Sequence, residues 1–195
     1  IGCTDGPVPR TAVYGVFGRT FKTQQWPSSG ILSLSELNGT NGFKIIPGPG
    51  EGWTSYFGSD FITCVEKDNN EDGPDSIMIG DAHGDSQRGR VVLVYGQSSS
   101  WPPIVIVSSP SFNGVIFKTS RTEHQLMGAS GGRVDLNVDG HVDLVIGAYY
   151  AEDNHFGYIH VIWGGQSLPS TITLPVTSLG QGFYFNGAML QSKLG

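Results

Sequence analysis

What this chain of 195 residues most plainly lacks is helical periodicity: no window spaces its apolar residues at the helical repeat, so almost no helix is expected. No apolar run approaches the roughly 18 residues of a membrane span, and no signal peptide is visible. The first residue is Ile1 rather than Met, so the natural N-terminus is expected to be processed away or to lie outside this sequence. Basic residues are sparse, 11 Lys and Arg against 17 Asp and Glu, with no cluster to neutralise phosphates; nucleic acid is therefore excluded as a partner. Only two cysteines occur. Cys3 and Cys64 permit one disulfide without demanding it, and the absence of Cys-x-x-Cys excludes a zinc or redox motif. The five histidines form no His-x-x-x-His pair, and Gly48–Gly52 lacks the Gly-Lys-Ser/Thr ending of a phosphate loop. Gly128-Ala-Ser130-Gly-Gly132 spells a nucleophile elbow, but that device needs a strand-to-helix turn, and no helix is expected after it. No catalytic residue is assigned, and the chain is not expected to be an enzyme.

Turn formers are plentiful, with 29 glycines and 11 prolines, which suits short strands joined by frequent loops. The acidic residues are unevenly placed: seven of 17 lie between Glu66 and Asp85, and five between Asp135 and Asp153. Such clustering suits local cation sites better than a generally acidic surface. The densest stretch is Asp135-Leu-Asn137-Val-Asp139-Gly140-His141-Val-Asp143. Oxygen-bearing side chains alternate along it and a glycine sits at the sixth position, so one tight turn can aim several hard donors at a cation of calcium size. Asp135, Asn137, Asp139 and Asp143 would offer side-chain oxygens and His141 its carbonyl. An EF-hand opens in the same way but needs Glu at the twelfth position between two helices; here that position is Ile146, inside a β-branched run that reads as a strand. A second loop, with donors at Asp68, Asn70, Asp72, Pro74 and Ser76, is the poorer match, because a hydroxyl replaces the last carboxylate. It is expected to bind calcium more weakly or not at all.

Internal repetition organises the rest. Ile1-Gly2, Ile79-Gly80 and Ile146-Gly147 each precede an aromatic-Gly pair, Phe17-Gly18, Tyr95-Gly96 and Trp163-Gly164, at spacings of 16, 16 and 17 residues. Tyr56-Phe57-Gly58, Leu126-Met127-Gly128 and Phe185-Asn186-Gly187 recur in step with them. Each unit reads as strand, acidic loop, strand, polar turn, strand, Ser/Pro-rich loop and outer strand, the plan of a four-stranded antiparallel propeller blade.

Phe57-Gly58, the acidic loops and the Ile-Gly-Ala148 stretch resemble the FG-GAP repeats of integrin α-subunit β-propellers. The likeness runs through nearly the whole chain, although Met127 replaces the Phe of the FG pair in the second copy and the Pro of the GAP triplet is absent from all three. It implies an all-β propeller segment, about three blades of an expected seven, closed propellers having roughly four to eight. Residues 1–50 are expected to form an incomplete blade, 51–122 and 123–185 two full blades, and 186–195 the first strand of another. The resemblance further implies an extracellular or cell-surface module that is calcium-stabilised and serves adhesion or protein binding. Its partners would be a protein or glycan ligand, and further blades or neighbouring subunits. The alternatives are a lectin-like propeller, with Trp53 and Trp101 as sugar-stacking candidates, and an accessory propeller of a larger surface enzyme. Asn38-Gly39-Thr40 would then be a glycosylation acceptor.

Overall fold

A computed structural model describes residues 2–5, 10–18, 31–49, 52–53, 56–65, 74–122, 125–150 and 156–188. Thirteen strands run along them: β1 (Gly2–Asp5), β2 (Arg10–Val16), β3 (Gly42–Ile46), β4 (Ile62–Val65), β5 (Ser76–Asp81), β6 (Arg90–Val94) and β7 (Ile104–Ile106). After them come β8 (Gly114–Thr119), β9 (Met127–Val134), β10 (Asp143–Ala148), β11 (Tyr158–Ile162), β12 (Thr171–Leu174) and β13 (Gly182–Asn186). Helical structure among the described residues is confined to a 3₁₀ turn at Leu34–Glu36 and one turn at Gly84–Gln87, where Asp85 and Ser86 are left-handed. The fold is all-β, as the missing helical period requires.

Three sheets result, in the orders β1-β2-β3-β7, β4-β5-β6-β8-β12 and β9-β10-β11-β13. Within each, strands consecutive in the repeat pair antiparallel. One feature departs from the expected four-stranded plan. β7 and β12 lie in the Ser/Pro-rich connections, where only loop was expected, and each crosses to the preceding sheet to pair in parallel with its outer strand, β3 or β8. Trp101 travels with β7 and stacks on Phe43 of β3, ring centroids 3.9 Å apart.

The central sheet shows why its strands read as unbroken apolar runs. Successive side chains of a strand point to opposite faces. Ile79, Val92 and Val94 therefore face the first sheet and join Val13, Phe43, Ile45 and Phe57 in one core. Met78, Val91, Leu93, Val115 and Phe117 face the third sheet and join Leu144, Ile146, Tyr158 and Ile162 in another. Both faces are dry, so alternation of polar and apolar residues disappears. The Phe-Gly or Met-Gly pair plugs each junction: Phe57 and Met127 are fully buried, and Gly128 takes φ +90 where any side chain would collide with the Arg90 carbonyl oxygen. Cys64 is an exposed free thiol, outside any disulfide. The strand expected to open a further blade over 186–195 falls largely on residues outside those described.

His160 interrupts the second core. It is buried on β11 between the rings of Tyr158 and Tyr184, each centroid 6.0 Å away, and its Nδ1 has no hydrogen-bond partner. Burial, helped by the nearby Arg121 charge, lowers its pKa to about 4. The folded protein thus holds a neutral imidazole that the unfolded chain protonates below about pH 6.5. Stability is full above that value and falls as the pH drops toward 4, by about 2 kcal/mol between pH 7 and 5. Valine stands at the corresponding place, Val92, in the preceding sheet. We expect His160→Val to abolish this acid-side loss in urea unfolding at pH 7 and 5; an unchanged difference would assign the loss to other groups.

Candidate metal site

The loop 135–142 joins β9 to β10, and side-chain acceptors hold it closed. Asp135 takes the Asp139 and Gly140 backbone N–H groups on its two oxygens, at 3.1 and 3.0 Å. Asp139 Oδ1 accepts from the His141 N–H at 2.8 Å, and its Oδ2 from the Asn137 side-chain amide at 2.7 Å. These hydrogen bonds, the His141 N–H first, lower the pKa of Asp139 and keep it ionised. Asx turns of this kind follow from placing Asp or Asn at alternate positions, since each short side chain reaches the backbone two residues on. The turn needs left-handed backbone at Val138 (φ +59) and Gly140 (φ +89). Glycine adopts this freely, whereas a β-branched residue is strained there by about 1–2 kcal/mol. Val138 is also 86% exposed. Strain is thus concentrated at the loop tip, where the side chain adds no packing.

Asp143 does a different job. It opens β10, is fully buried, and accepts the Leu136 N–H at 2.8 Å on one oxygen and the Gly164 N–H at 2.9 Å on the other. The carboxylate thereby ties the start of the loop to the end of β11. In the preceding sheet Ser76 opens β5 and its Oγ accepts the Gly96 N–H at 3.3 Å. Ser76 and Asp143, like Gly96 and Gly164, are therefore equivalent by geometry as well as by sequence. The hydroxyl makes the longer and singly connected version of the clamp.

The other candidates distribute as follows. Asp68, Asn70 and Asp72 lie outside the described residues, and Pro74 is exposed beside Ser76. Among the described residues, no group of three or more His, Cys, Asp or Glu is drawn together around one point. The donor chemistry of 135–143 nevertheless fits a hard cation. Three carboxylates fall within nine residues, and the ion pairs seen among the described residues lie elsewhere, between Asp85 and the arginines Arg88 and Arg90. The loop's backbone N–H donors take only part of each carboxylate's acceptor capacity. If calcium is held, Asp135, Asn137, Asp139 and Asp143 supply the side-chain oxygens and His141 a carbonyl.

Trp53 and Trp101 both pack against the first core. The Arg90 guanidinium lies 4.6 Å over the Trp53 ring, which also meets Phe57 edge-on. Phe43 covers one face of Trp101. Asn38 stands in an exposed turn, its side-chain oxygen accepting from the Thr40 hydroxyl at 2.7 Å. Ser130 lies within β9 opposite Gly147. The Arg90–Trp53 contact was not anticipated: the two are far apart in sequence, and nothing in either motif links them.

Comparison with known proteins agrees with this architecture. The family model described as FG-GAP repeat matches residues 127–162, the span from β9 through the acidic loop to β11. No curated protein matches the chain. The integrin-like propeller reading is consistent with that match over residues 127–162.

Proposed function

We propose that the chain is a non-catalytic, calcium-braced propeller module that works outside the cell in adhesion or protein binding. The observation that carries this is the loop 135–143. Its carboxylates close the turn on backbone N–H groups, and the ion pairs seen among the described residues lie elsewhere, so negative charge stays gathered in one turn. A divalent cation would remove that repulsion and lock β9 to β10. Calcium at extracellular levels fills sites as weak as about 10⁻⁴–10⁻³ M, which suits a brace that need not switch. The exposed Asn38 turn supports the same compartment. Further blades or neighbouring subunits, and a protein or glycan ligand, are the partners this reading implies. The covered faces of Trp53 and Trp101 favour protein binding over sugar stacking at those two side chains.

Calcium at a hundred times Kd should add about 2.7 kcal/mol, or roughly 5–10 °C in Tm for a chain of this size. Thermal melts in calcium, in magnesium and in EDTA check this, and no difference among them would dismiss the brace. Asp135→Ala should remove most of the calcium shift and Asp68→Ala little of it. Equal losses would reverse the ranking of the two loops.

A further inference from the structure

The three sheets share one register, which makes their outer edges comparable. On β3, the Lys44 N–H donates to the Pro103 carbonyl and the Val107 N–H to the Ile46 carbonyl, at 2.9 and 3.0 Å. On β8, the Ile116 N–H donates to the Ser170 carbonyl and the Ser120 N–H to the Leu174 carbonyl, both at 3.0 Å. Lys44 and Ile116 occupy the same place, two residues after Gly42 and Gly114 that open their strands. The incoming segments are also equivalent. Val105 and Val107, like Ile172 and Leu174, point into the core at alternate positions, while Ile104, Ile106, Thr171 and Thr173 face out. Prolines precede both segments, Pro102-Pro103 and Pro169, and hold them extended.

β13 is the third member of this set, with Tyr184 two residues after Gly182. Hydrogen bonds from Trp163 to Gln181 and from Gly187 to Gly157 bracket its pairing with β11. Antiparallel alternation then turns the backbone groups of Tyr184 and Asn186 to the outer side. No described strand pairs there. The side chains register the difference. Phe185 corresponds to Ile45 and Phe117, which the incoming segment and the following sheet together bury to 0% exposure; Phe185 is 49% exposed and Tyr184 42%. An open edge carrying Phe-Tyr-Phe is a template for strand pairing.

We propose that the outer edge of β13 receives, in parallel, the equivalent connection of another repeat. This is a proline-preceded extended segment with apolar side chains at alternate positions. Its first carbonyl accepts the Tyr184 N–H, and its inward apolar side chain lies beside Phe185. The proposal rests on the repeat register and not on calcium, so it stands or falls separately from the brace.

The test uses the full chain and a synthetic peptide with the sequence of residues 168–176, Leu-Pro-Ser-Thr-Ile-Thr-Leu-Pro-Val, in calcium and in EDTA. Amide hydrogen exchange at Tyr184 and Asn186 should slow at least tenfold with saturating peptide. The effect should vanish with a peptide carrying Asp at the positions of Ile172 and Leu174, and weaken with Phe185→Asp in the chain. No slowing at millimolar peptide, or equal slowing by the Asp peptide, would overturn the proposal. Protection that needs no peptide and rises with protein concentration would also overturn it, assigning the edge to a second copy of the chain.

Discussion

Alanine in place of Asp143 is expected to cost about 3–5 kcal/mol, read by urea unfolding in EDTA, and to remove the calcium response as well. Both oxygens of this buried carboxylate are engaged by backbone N–H groups, Leu136 at one end of the acidic loop and Gly164 just past β11. A hydrogen bond to a charged acceptor contributes about 1.5–3 kcal/mol, and the N–H groups left behind are desolvated without a partner. Asn at this position keeps one acceptor and should lose about half as much. The contrast comes from the preceding sheet, where Ser76 makes one longer bond to Gly96. Ser76→Ala should cost about 1 kcal/mol, the net worth of a neutral hydrogen bond. Equal losses at the two positions would mean that the carboxylate's second bond contributes nothing. Metal-free conditions matter here, because they separate the clamp from any ligand role of the same oxygens.

That double duty explains what was legible in the sequence and what was not. Spacing of Ile-Gly and aromatic-Gly pairs located the strands, because a repeated fold places the same turn constraints at the same intervals. The alternation in Asp135–Asp143 exposed a loop closed by side-chain acceptors on its own backbone, since Asx turns are local. The hydrogen bond between Asp143 and Gly164 is not local; the fold creates it by pairing β10 with β11. The parallel strands were hidden for a related reason. Ile104–Ile106 and Thr171–Leu174 are only three and four residues long, set among Ser and Pro, and their partners belong to the preceding sheet. Short-range pattern cannot show which edge such a segment will reach. Burial of Val105 and Val107 beside solvent-facing Ile104 and Ile106 is decided by that edge, because all four residues are equally apolar.

The largest effect expected anywhere in the molecule follows from this crossing. Leu174 ends β12, is 0% exposed, and packs in the core shared by the second and third sheets with Phe117, Tyr158 and Ile162. Were the connection merely a loop on the surface, Leu174→Asp would change stability by no more than about 0.5 kcal/mol. Because it is a buried edge strand, the substitution forces a carboxylate into a dry junction and opens a cavity as well. Truncation alone, Leu174→Ala, should cost about 2–5 kcal/mol. Burying the charge adds several more, enough to unfold a domain whose whole stability is about 5–15 kcal/mol. Thr173→Asp, one residue earlier on the solvent face, should stay within about 0.5 kcal/mol and keep the same far-ultraviolet dichroism. Chemical denaturation of the three Asp variants, at Ile172, Thr173 and Leu174, decides the matter. The signature is alternation: severe loss at Leu174, almost none at Thr173, and severe loss again at Ile172→Asp. Comparable losses at all three positions would indicate a helical or irregular connection and remove the parallel strand from β8.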